Sequence, residues 1–280
     1  MLTAFFISLI ETIPINFIMK HVLMLSLVLI IGLSGCQFFG PKKKVVSSSQ
    51  SKNDSTIVKQ KHFNDDPGSP VEWKVGMKKT PEGTYVRHGK SVRFTRSGKL
   101  AEKIYYKNNK KEGVRLTYHS TGKVYKEQPY VNGRLDGICK RYDREGKITA
   151  EYPYKNGLPG VGLIEYTNLG KVRPVPAISI QKVDNVKANG TYSLILSLKG
   201  DGVKRIKSVE FFEGKLVEGK FYHKNLTPIK NTSRKKGEFQ INVPKGYQVN
   251  KNLNIIAVAK TTSGLQLILQ KSTSVNVRGV

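Results

Sequence analysis

The chain has 280 residues, 38% of them hydrophobic and 24% charged, which allows one or two folded units plus a tail and excludes a polytopic membrane protein. Its 48 Lys and Arg against 20 Asp and Glu give a net charge of +28, a quantity that bears on partners and solubility and not on fold. Cys36 and Cys139 are the only two cysteines, so a disulfide-stapled mini-fold and a Cys-based zinc finger are excluded.

The amino-terminal stretch adds nothing to the charge: Glu11 and Lys20 cancel. From Met19 the order is a small basic start (Met19-Lys20-His21), an apolar run over 22–33, and Leu33-Ser34-Gly35-Cys36. This is the shape of a secretory signal, expected over 1–35, and the run is short for a membrane span. Residues 1–18 mix apolar side chains with Glu11 and Pro14, and Met19 is the expected true start. Leu33-Ser34-Gly35-Cys36 resembles the lipobox of bacterial lipoproteins. The resemblance implies that the Cys36 sulfur takes a diacylglyceryl group, that cleavage falls just before it, and that the new amino terminus is acylated, with palmitate among the chains. Two or more chains hold a protein stably in a membrane where one does not. The alternative is an uncleaved signal-anchor with a chance cysteine. In enteric-type lipoproteins Gln37, rather than Asp, after the cysteine implies sorting to the outer membrane.

Residues 36–72 read as a flexible, lipid-anchored tether. Lys42-Lys43-Lys44, Ser47-Ser48-Ser49 and 51–55 have no apolar periodicity, and Pro67, Gly68 and Pro70 punctuate the end. Such composition buries too little surface to offset ordering entropy. As a coil it spans about 33 Å r.m.s.. The lysine triplet fits anionic headgroups as well as it fits a solvated linker.

Residues 73–172 repeat with a period of 24. Gly98, Gly122, Gly146 and Gly170 are each followed by Lys and an apolar residue. Phe94, Tyr118, Tyr142 and Tyr166 keep the same step, as do Tyr106, Tyr130 and Tyr154, and Gly89, Gly113 and Gly137. Asn132-Gly133 and Asn156-Gly157 supply the positive-φ pair of a type I′ hairpin turn, with Asn108-Asn109 as the next best left-handed pair. The runs between turns have strand length and strand composition. Four units predict an antiparallel meander of about eight strands. Glu112-Gly113-Val114, Tyr118, Gly122-Lys123 and Tyr130-Val131-Asn132-Gly133-Arg134-Leu135-Asp136-Gly137 look like the MORN-repeat variant of the bacterial YwqK-like group, over roughly 82–172. The resemblance implies a fold and hardly any activity. In eukaryotic MORN proteins of this general type it implies an association with membrane lipids and scaffolding.

This segment carries 22 Lys and Arg against 9 acids. Lys107, Lys110, Lys111, Arg115, Lys123, Arg134 and Arg141 are the candidate contacts to an anionic glycan, lipid or envelope protein. An ordinary solvated face that blunts edge aggregation explains them equally well.

Beyond Arg173-Pro174-Val175-Pro176, a stiff connector, the glycine spacing stops. Strands are expected at 178–183, 191–198, 206–212, 214–222, 237–243, 253–260, 265–270 and 273–277. Tyr192, Leu194, Leu196 and Leu198 alternate with Ser193 and Ser197 in half-buried fashion. So many short strands in 173–280 predict a β-sandwich. The run 209–216 resembles the hairpin of bacterial immunoglobulin-like domains. The expected fold class is therefore all-β, a meander of hairpin repeats followed by an immunoglobulin-like sandwich.

Chemistry is nearly absent from the sequence. None of the histidines falls at a metal-ligand spacing. Gly83 to Ser91 is one residue too long for a phosphate loop, and no nucleophile elbow occurs. No repeat-matched His accompanies Cys139, which reads as a structural thiol. The expectation is a non-catalytic cell-envelope lipoprotein without cofactor or metal, whose basic repeat sheet contacts anionic components. The alternative is an adaptor that docks a partner through the carboxy-terminal sandwich. Nucleic acid fits the charge but not the export address.

Overall fold

A computed structural model of the chain describes residues 56–280. The expected signal peptide, Cys36 and the first part of the expected tether lie outside the described residues. The first sheet runs through β1 (Thr56–His62), β2 (Val71–Lys79), β3 (Tyr85–Phe94), β4 (Leu100–Lys107), β5 (Lys110–Tyr118), β6 (Val124–Val131), β7 (Arg134–Leu135), β8 (Gly137–Tyr142), β9 (Ile148–Lys155), β10 (Leu158–Pro159) and β11 (Ile164–Glu165). Its order follows the chain, with β7 paired to β6 and β11 to β9, and its pairs are antiparallel. This is the expected meander.

The sheet starts earlier than composition suggests. β1 lies inside the stretch read as tether and pairs with β2 from Thr56↔Lys78 to Lys61↔Trp73. Its side chains are almost all exposed. An edge strand held by backbone hydrogen bonds to its neighbour needs no apolar pattern, so none announced it.

Two kinds of turn alternate. Asn108-Asn109, Asn132-Gly133 and Asn156-Gly157 have φ of 48° and 66°, 50° and 85°, and 49° and 84°, the left-handed pairs of type I′. At the other end, the Gly98, Gly122, Gly146 and Gly170 N–H groups donate to the carbonyls of Thr95, His119, Asp143 and Thr167 at 2.9–3.2 Å. These are three-residue loops closed by a left-handed glycine. Thr95, Asp143 and Thr167 also accept the N–H of Lys99, Lys147 and Lys171 on their side-chain oxygens. Successive units are tied by one recurring bond. The N–H groups of Asn109, Gly133 and Gly157 donate to the carbonyls of Arg87, Lys111 and Leu135 at 2.7–2.8 Å.

Register shifts opposite Gly89 and Gly113 mark bulges between β2 and β3 and between β4 and β5. Bulges bend and twist a strand. Ser91, Ile104 and Cys139 are buried on one face, although they belong to neither apolar cluster of the carboxy-terminal sheets. The face curls, and its own long side chains cover them.

After the repeats come β12 (Ala177–Asn185), β13 (Thr191–Lys199), β14 (Ile206–Glu213), β15 (Thr227–Pro228), β16 (Lys230–Ser233), β17 (Lys236–Asn242), β18 (Gln248–Thr261) and β19 (Gln266–Arg278). They form two four-stranded sheets, β12-β13-β17-β16 and β15-β14-β18-β19. Lettered A to G along the chain, with β15 as an extra edge, these are the A-B-E-D and C-F-G sheets of the immunoglobulin topology. Leu194, Leu196 and Ile241 of one sheet meet Val209, Phe211, Ile255, Ala257 and Val275 of the other in one cluster. A Cβ on Gly237 would stand 2.9 Å from the Phe211 ring, so glycine in β17 is what admits the large central side chain.

Three expected strands differ. Residues 214–222 form a turn with isolated bridges, Val217↔Phe221 and Gly160↔Phe221, because Gly214, Glu218 and Gly219 take positive φ. Residues 265–270 and 273–277 are one continuous strand, β19. The exposed β16 carries no apolar signal and was not expected.

The repeats and the sandwich are fused within one compact unit. Ala150 of β9 and Leu163 lie in the sandwich's own core cluster. The fourth repeat keeps its Thr167–Lys171 loop, but its first strand is interrupted in making this junction: Gly160 bridges Phe221, and Val161 N–H donates to Lys220 O at 2.9 Å. Glu165, 8% exposed, ion-pairs with Arg205 and accepts the Ser263 hydroxyl. The boundary expected at 172/173 therefore has a shared core beside it.

Candidate binding surface

The curled face is set by register. Trp73 pairs with Arg93, Val75 with Ser91, Ser91 with Ile104, and Gly89 with Tyr106. Directly opposite residues share a face, so these side chains line one concave surface. Arg115↔Gln128 and Cys139↔Tyr152 continue it.

The seven expected basic contacts do not form one patch. Lys107, Lys110 and Arg134 sit at the tight turns on one rim, exposed, and among the described residues none has an ion-pair partner. Lys111 turns onto the concave face, its Nζ 4.9 Å from the centre of the Tyr130 ring. Lys123 belongs to the opposite rim, where its Nζ donates to Glu145 O at 2.7 Å. Lys99 makes the matching bond to Ser120 O at 3.2 Å, so in two successive units the loop lysine caps the loop that follows.

Arg115 and Arg141 are structural. Arg115 donates from Nε and Nη2 to Glu102 Oε1 and Oε2 at 2.8 and 2.7 Å, and from Nη1 to Gln128 Oε1 at 2.9 Å. That bidentate grip holds the guanidinium above its ordinary pKa, against the opposing effect of burial. Arg141 donates to Ser263 O at 3.0 Å and to Thr149 Oγ1 at 3.3 Å, which fastens the repeat sheet to the sandwich. Arg115 is thus neutralised by Glu102, while Arg141 keeps its charge and is held in place by neutral oxygens.

Cys139 is fully buried, and burial pushes its thiol up to about 11. A thiol held protonated is neither nucleophile nor metal ligand at neutral pH. Burial likewise pushes the phenols of Tyr142 and Tyr152 up to about 12. His119 Nε2 lies 3.0 Å from Tyr142 O and its ring packs 4.7 Å from Tyr125, a satisfied structural pairing. Among the described residues no group of His, Cys, Asp and Glu is placed to hold a metal ion. No helix there is long and apolar enough to cross a membrane.

Sequence reasoning missed the first strands of the concave face. Lys61, Trp73, Val75, Arg87, Ser91 and Tyr106 surround a cavity of about 250 Å³. A periodic signal was available. Arg87 lies 5.5 Å from the Tyr106 ring centre, as Lys111 does from Tyr130 one repeat later at 4.9 Å. The cation-to-tyrosine spacing repeats with the unit.

The family model of the MORN repeat variant matches residues 87–108, 111–132 and 135–156. Each segment opens on the residue whose carbonyl receives the next turn's N–H and closes on the first asparagine of that turn. Three of the units are thus MORN repeat variants, while the expected fourth is not matched. Among curated proteins, none matches the chain.

Proposed function

We propose that the protein is a non-catalytic cell-envelope lipoprotein, anchored through acyl chains on Cys36 in the bacterial outer membrane, whose repeat sheet contacts anionic envelope components. The repeats carry the coarse part of this reading, a binding or scaffolding role. The lipobox-like Leu33-Ser34-Gly35-Cys36 supports the anchor. The observation that carries the contact is the row of cations Lys107, Lys110 and Arg134, without ion-pair partners among the described residues and stepped along one rim of a chain of net charge +28. Exposed cations attract a polyanion across a Debye length of about 10 Å at 0.1 M salt, and lose it as salt rises.

The test has two arms. Mass spectrometry of the native protein is expected to find Cys36 diacylated at a new amino terminus; an unmodified thiol refutes the anchor. Cosedimentation of the full chain with lipopolysaccharide or anionic vesicles is expected at low salt, to fall steeply with salt, and to weaken in K107Q/K110Q/R134Q. Binding that ignores salt or the triple variant refutes the contact.

A second reading rests on β19. This 13-residue strand ends its sheet and offers an edge to a partner strand. An adaptor working there binds an envelope protein without any salt dependence of the repeat rim.

A further inference from the structure

The geometry points to a small-molecule site at the start of the repeat sheet, shaped for one sugar ring bearing a carboxylate or a phosphate. The cavity between Lys61, Trp73, Val75, Arg87, Ser91 and Tyr106 measures about 250 Å³, room for one hexose unit and little more. Its polar groups converge. Ser91 is 1% exposed, and its hydroxyl has no hydrogen-bond partner, in a molecule where buried polar groups are normally paired. Arg87 has no carboxylate partner among the described residues and is fixed over Tyr106 at 5.5 Å. Lys61 contributes a second cation, held among the described residues by an exposed pair with Asp65 at 3.3 Å, which a ligand anion displaces at little cost.

The apolar part is equally specific. Arg93 covers the Trp73 ring at 5.6 Å and is itself bound to Glu72 at 3.0 Å, so the indole is pinned. Val75 and the Trp73 and Tyr106 rings supply a wall for the C–H face of a ring, while the Ser91 hydroxyl meets a ligand hydroxyl and the two cations meet its charge. Few polar groups converging on an apolar cavity is the usual make-up of a ligand site. A neutral sugar leaves Arg87 without an anionic partner, and a bare inorganic anion leaves the ring walls unused.

The inference goes beyond the surface contact proposed above, because it requires neither the acyl anchor nor the rim lysines. Trp73 is the chain's single tryptophan, so indole fluorescence reports this cavity alone. The full chain, solubilised in a sugar-free detergent, is titrated with glucuronic acid and glucose 6-phosphate, with glucose and inorganic phosphate as controls. One acidic sugar is expected to change Trp73 emission saturably with a dissociation constant of about 1 mM or tighter, the ordinary efficiency for about a dozen heavy atoms. Both controls are expected to be at least about tenfold weaker, and R87Q to weaken the acidic sugar about tenfold with an unchanged unfolding midpoint. S91A, which folds with one polar atom fewer to bury, is expected to weaken it by a smaller factor. No saturable change up to about 10 mM overturns the proposal and leaves Ser91 satisfied by water alone. Equal binding of glucose, equal binding of phosphate, or indifference to R87Q overturns it as well. K107Q/K110Q/R134Q leaves this titration unchanged, which separates its failure from failure of the rim contact.

Discussion

Glu165→Ala tests whether the repeats and the sandwich are one cooperative body. Glu165 is 8% exposed. It receives the Arg205 guanidinium on Oε2 and the Ser263 hydroxyl on Oε1. Arg205 also donates to Pro174 O at 2.7 Å, and its side chain is 21% exposed. Removing one partner of a fully buried ion pair costs about 3–5 kcal/mol, because the other charge is left uncompensated. Here the orphaned Arg205 keeps one carbonyl and some water, which pulls the value to the low end, about 3 kcal/mol. Glu165→Gln retains an acceptor for Ser263 and loses the charge, for about half that cost. In a double-mutant cycle E165A and R205A are expected to couple by about 2 kcal/mol.

The assay is urea unfolding followed by two probes. Trp73 fluorescence reports the repeat sheet, and far-ultraviolet circular dichroism reports the strands of repeats and sandwich together. In the parent chain the two transitions are expected to coincide. In E165A the tryptophan transition is expected to move to lower urea ahead of the other, because the repeat sheet has lost one of its fastenings to the sandwich. A loss below about 1 kcal/mol, with coupling near zero, refutes the junction as a source of stability.

Four further outcomes follow from the same geometry. Gly237→Ala places a Cβ 2.9 Å from the Phe211 ring and is expected to cost about 1–3 kcal/mol by chemical denaturation. Asn109→Gly, which the repeat pattern recommends as a stabilising change, is expected instead to cost about 0.5–1 kcal/mol, since Asn109 Oδ1 accepts Arg87 N–H at 2.7 Å. The alkaline limb is set by burial. Cys139 rises from 9.0 to about 11, and Tyr142 and Tyr152 from 10.0 to about 12. The unfolded chain releases these protons first, so the stability they confer is full below about pH 9 and falls as pH climbs to about 12. A urea midpoint that holds steady from pH 9 to 11 contradicts this. In the folded protein at pH 8, Cys139 is expected to react with a thiol reagent only at the rate of unfolding, and fast labelling contradicts its burial.

The turns and their period were legible because they are local. Asn132-Gly133 demands two positive φ values wherever it stands, and the structure gives 50° and 85°. The meander follows from that spacing. β1 was not legible, since an exposed edge strand needs a neighbour's backbone more than a pattern of its own. Nor were residues 214–222, whose apolar content suggests a strand until Glu218 and Gly219 turn the chain.

The candidate site divides in the same way. The sequence alone identified a basic repeat surface and the hairpins of its repeat units, because the sign of φ and the alternation of side chains act within a few residues. It did not decide which cations are free. Arg115 is spent on Glu102, and Arg141 reaches Ser263, 122 residues away. Whether a charge faces solvent or a partner, whether two segments share a core, and whether Lys61, Trp73 and Tyr106 enclose a cavity depend on contacts between distant parts of the chain. Only the completed packing determines these.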